Sequence, residues 1–175
     1  MTDYFALLGE ARRPWLDPEK LKEKYFARVR EWPVDAELNE AFRVLSHPKL
    51  RLQHLLRLQH VDLNASREIP AVLAELFWQT GQLLREVDCW QLKINEANSA
   101  LSRALLSGER LKLQEQIRAL ETRLNTAHAR EIEQLQTIDH GDWPDDLGIL
   151  LELHDGLSYL TRLRDQVKEK LLLLA

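Results

Sequence analysis

The sequence predicts an all-α protein: a small helical N-terminal part followed by a long antiparallel three-helix bundle. Long stretches rich in Leu, Glu, Arg, Lys, Gln and Ala, all good helix formers, are broken by only six Gly and six Pro. Apolar residues recur at steps of three and four, the period of a helix face, and no β-branched run alternates with polar residues as a strand would. The breakers stand where helices should end.

Residues 3–9, DYFALLG, allow two turns at most, closed by Gly9. Asp17-Pro18 supplies an N-cap and a proline at the first helical position, so a helix opens there and runs to Trp32, where Pro33 stops it. Leu21, Tyr25, Val29 and Trp32 share its apolar face. Asp35 caps a third helix that buries Leu38, Ala41, Phe42 and Leu45. His47-Pro48 interrupts it, and a short helix from Leu50 to Leu58 follows. The polar stretch 60–68 places a boundary between a domain over 1–62 and a second over 63–175.

Beyond that boundary Leu83, Val87, Trp90, Ile94, Ala97, Leu101 and Ala104 form a heptad seam, which Ser107-Gly108 is expected to break. Leu113, Ile117, Leu120, Leu124 and Ala127 resume it, and Ile132, Leu135 and Ile138 carry it to a loop at DHGDW. Pro144, Asp145 and Asp146 suit the start of the last helix, whose stripe is Leu147, Leu150, Leu153, Leu157, Leu160, Val167, Leu171 and Leu174. Each of the three segments is about 45 Å long at ~1.5 Å per residue, and short connections make neighbours antiparallel.

With 45% apolar and 30% charged residues the chain has a globular composition. A net charge of −4 gives no electrostatic footprint for nucleic acid, and the cations between Arg103 and Arg130 alternate with Glu109, Glu115 and Glu121 as on a solvated helix face. Cys89 is the single cysteine, which excludes an internal disulfide and a cysteine-cluster metal site. The N-terminus lacks the charged-then-apolar grammar of a signal peptide, and no apolar run approaches the ~20 residues of a membrane helix, so a cytoplasmic protein is expected. No Walker loop, dinucleotide fingerprint, HExxH or GxSxG occurs. His47, His54, His60, His128, His140 and His154 are scattered without metal-ligand spacing, and Asp139-His140-Gly141-Asp142 reads as a turn. No catalytic residue, metal or cofactor is expected.

Phe77 and Trp78 stand out beside Leu73 and Leu76. Successive helical residues lie about 100° apart, so the two aromatics cannot share one narrow seam. Either the linker or the N-terminal part packs on them, or they form an exposed apolar patch for a partner.

DYFALLG, then LDPEKLKEKYFARV, then NEAFRVLSHPKLRLQHLL resemble the J-domain of HscB-type co-chaperones, which serve iron–sulfur cluster assembly. Asn39, Ala41, Leu45, His47-Pro48, Arg51 and Leu55-Leu56 match that family's N-x-A-x-x-x-L-x-H-P-x-x-R-x-x-x-L-L, and WPDDLGILLELHDGLSYLTRLRDQVKEKLLLL resembles the last helix of its C-terminal three-helix domain. The resemblance implies a protein-binding co-chaperone with two partners. One is an IscU-type scaffold, held by an apolar and acidic patch that falls here near Leu73, Ala74, Phe77 and Trp78. The other is a DnaK/HscA-type chaperone, faced by a basic second helix (Lys20, Lys24, Arg28) and a His-Pro-Asp tripeptide. This chain departs from both. Trp32 is followed by Pro33, Val34 and Asp35, so the tripeptide is lost and Asp35 alone remains in register; Trp78, Thr80 and Gly81 replace the patch's acids. Weak or absent stimulation of a chaperone ATPase is therefore expected. The rival reading is a structural adaptor that binds unrelated clients or self-associates along its long helical hairpin.

Overall fold

The computed structural model describes residues 2–31, 35–63, 71–139 and 147–175, and every structural statement below concerns these. They form seven helices: α1 (Tyr4–Leu8), α2 (Pro18–Glu31), α3 (Ala36–Ser46), α4 (Pro48–Leu58), α5 (Ala71–Glu96), α6 (Ala100–Asp139) and α7 (Leu147–Leu174). The all-α class is as expected. The helix stop at Trp32-Pro33-Val34, most of the polar boundary stretch, and His140, Asp142, Pro144, Asp145 and Asp146 lie outside the described residues.

Local chemistry accounts for the helix ends. Asp3 caps α1, its Oδ1 accepting from the N–H groups of Phe5 and Ala6, and Gly9 ends it at φ +67°, a left-handed conformation that a side chain would strain. Asp17 accepts from Glu19 and Lys20 at the head of α2. Asp35 does the same for α3 through Glu37 and Leu38. His47 is extended between α3 and α4, and Pro48 opens α4 two residues earlier than the apolar pattern indicated, because proline suits a first helical position.

One break falls elsewhere than expected. The chain leaves the helix at Ala97–Ser99, and Gly108 lies inside α6. Ser99 Oγ accepts from the Ser102 N–H at 3.0 Å and its carbonyl takes the Arg103 N–H at 3.1 Å, so Ser99 caps α6. Gly108 meets open space on an exposed face, where a glycine weakens a helix by about 1 kcal/mol without ending it.

Packing divides the chain into two compact units: Met1–Glu68 with Glu131–Leu157, and Ile69–Arg130 with Ser158–Ala175. Their composition differs from a division of the chain at 62/63, because the end of α6 and the start of α7 join the first unit. Its core sets Phe5, Leu8, Leu21, Leu45, Leu52 and Leu55 against Leu135, Leu150, Leu153 and Leu157. The second unit is the up-down-up bundle. Trp90 Nε1 donates to the Leu106 carbonyl (2.9 Å), Lys93 pairs with Glu109 (3.0 Å) and Arg123 donates to Gln79, so α5 and α6 run antiparallel. Arg110 and Gln114 of α6 donate to the Leu174 carbonyl at the end of α7. Lys170 pairs with Asp88, which sets α7 parallel to α5. Leu73, Leu76, Val87, Ile117, Leu124, Leu160 and Val167 fill the core between them.

Candidate functional site

The residues expected to bind a partner divide by burial. Leu73 is 3% exposed and belongs to the bundle core, so it is no part of a surface. It falls in phase with Leu76, Thr80, Leu83 and Val87 at steps of three and four, and the seam therefore extends nearly three turns further toward the N-terminus than the apolar pattern showed. Thr80 hides it from a sequence reading. This residue is polar yet fully buried, its hydroxyl donating to the Leu76 carbonyl at 2.7 Å.

Ala74, Phe77 and Trp78 are exposed, Phe77 at 46% and Trp78 at 57%. Both aromatics are thus exposed, while residues 64–70 of the linker lie outside the described residues. Ala74, Trp78, Gly81 and Arg85 follow at steps of four, three and four, and so line one face of α5 with Phe77 at its edge. At Gly81 the missing side chain leaves room that the Arg85 guanidinium uses: its Nη1 lies 3.7 Å from where a Cβ would stand.

The basic residues of α2 are exposed, but Lys24 is committed. Its ammonium donates to the Gly9 carbonyl (2.9 Å) and pairs with Glu10 (2.9 Å), holding the C-terminal end of α1. Asp35 is occupied as the α3 cap. Lys20 and Arg28 stand exposed on α2, the Arg28 guanidinium near Gly9. Lys20, Lys24 and Arg28 thus share a helix, whereas Asp35 serves the next one.

Three buried polar groups, to which the sequence alone gives no packing role, hold the first unit together. Arg51 is 3% exposed; its Nε donates to the Pro14 carbonyl at 2.9 Å and its Nη1 to the Leu45 carbonyl at 2.8 Å, one of the carbonyls that α3 leaves unpaired at its end. Burial pushes its pKa down to about 10, with the Asp139 carboxylate acting the other way, so it stays charged at neutral pH. Asp139 is itself buried and pairs with Arg13 at 2.6 Å. His54 accepts the Tyr4 N–H on Nε2 at 3.1 Å and stacks on the Tyr4 ring at 4.5 Å. It thereby caps α1 from across the unit. Burial holds its pKa below the ordinary value, Asp3 opposing and Arg57 and Arg12 adding to the depression. The available signal was a polar residue on an otherwise apolar stripe, Arg51 and His54 among Leu52, Leu55 and Leu56.

Among the described residues no three His, Cys, Asp or Glu side chains cluster as a metal site requires, and no helix is long and apolar enough to cross a membrane. Cys89 is exposed in a groove of about 550 Å³ with Gln82, Glu86, Lys93 and Lys112.

The fold is therefore that of a helical protein whose accessible chemistry at the expected face is an aromatic pair beside a guanidinium. A comparison with protein-family models finds no match. Among solved structures the chain is similar to the human co-chaperone protein HscB, at 19% sequence identity, covering 97% of this chain and 82% of that one, with a TM-score of 0.46.

Proposed function

We propose that this chain is a non-enzymatic, HscB-like co-chaperone or adaptor that binds a protein partner through the Ala74–Phe77–Trp78 face of α5. The observation that carries the reading is the exposure of two adjacent large aromatics on a helix whose other face fills a closed core. Burying such side chains is what dominates partner binding, since Trp and Tyr-like anchors hold most of an interface's energy. The partner implied by the sequence resemblance is an IscU-type cluster scaffold, which makes iron–sulfur assembly the process served. Functionally, 1–62 is the degenerate J-domain-like module and 63–175 the partner-binding one.

Stimulation of a DnaK/HscA-type chaperone is weak or absent in this reading. Two residues that would face the chaperone have structural duties: Lys24 at the end of α1 and Asp35 at the start of α3. Calorimetric titration against the IscU-type scaffold of the same organism, together with a single-turnover ATPase assay on its chaperone, tests both parts. Saturable scaffold binding with less than about a twofold ATPase effect is expected. No scaffold binding, or strong stimulation, contradicts the respective part.

A second reading has its own observation. Leu92, Leu101, Leu105 and Leu111 stand 61–72% exposed around the α5–α6 turn, an apolar surface suited to self-association along the hairpin. Concentration-dependent mass in sedimentation equilibrium, abolished by Leu101→Asp with Leu105→Asp, is what this reading requires.

A further inference from the structure

We draw no further inference here: the strongest candidate, the surface patch of exposed leucines Leu92, Leu101, Leu105, Leu111, Leu172 and Leu173 around the ends of α5 and α7 and the start of α6, is an apolar surface for which nothing in the structure shows what covers it.

Discussion

Replacing Arg51 by Leu should destabilise the first unit by about 3–5 kcal/mol. The guanidinium is the donor for two buried carbonyls, Pro14 at 2.9 Å and Leu45 at 2.8 Å. Each carbonyl left unsatisfied costs about 1–3 kcal/mol. Leu occupies part of the vacated volume, which keeps the cavity contribution small. Asp139 retains Arg13 at 2.6 Å, so its charge is not stranded. Against a typical domain stability of about 5–15 kcal/mol this is a large fraction. Urea unfolding at neutral pH, followed by far-ultraviolet circular dichroism, measures it. Arg51→Lys keeps the charge and one donor and should lose about half as much. A loss below about 1 kcal/mol for Arg51→Leu would show that water or relaxed backbone satisfies both carbonyls, and would refute the bridging role.

His54 predicts acid sensitivity. Its folded pKa is lowered by burial, so the unfolded imidazole takes its proton first; the contribution is complete above about pH 6.5 and is lost as pH falls through the lower folded value. His54→Leu should cost about 2–3 kcal/mol at pH 8 and flatten this part of the pH dependence; an unchanged slope between pH 8 and 5 would dissociate it from His54. Gly108→Ala should raise stability by about 0.5–1 kcal/mol in thermal melts, and a decrease would mean that α6 is not helical there. Leu73→Ala should cost about 2–5 kcal/mol and Phe77→Asp less than about 0.5, and reversed magnitudes would exchange their assignments as core and surface.

Caps and stops were the most legible part of the sequence, because they act locally. Gly9 and Asp35 satisfy orphan helix groups within a few residues, Pro48 lacks the N–H that a first helical position leaves unpaired, and the structure puts helix ends there. The α5–α6 break was misplaced since two signals competed: Gly108 is the more conspicuous breaker, but the Ser99 cap supplies hydrogen bonds that Gly108 cannot. The association of Leu135, Leu150 and Leu153 with the N-terminal helices was not legible at all. A heptad stripe has the same period whichever apolar surface it meets. At the candidate face, the angle between Phe77 and Trp78 showed that both could not turn inward, whereas Leu73 was misread because Thr80 interrupts the apolar seam that continues to it.

Docking of a partner on the aromatic face of α5 is tested by two variants compared in one calorimetric titration. With the IscU-type scaffold as titrant, Phe77→Asp should weaken binding by roughly a hundredfold, as expected for a central aromatic anchor, while Leu101→Asp on the hairpin should bind as the natural chain does. Loss of binding in Leu101→Asp with none in Phe77→Asp would move the interface to the α5–α6 turn and contradict the claim.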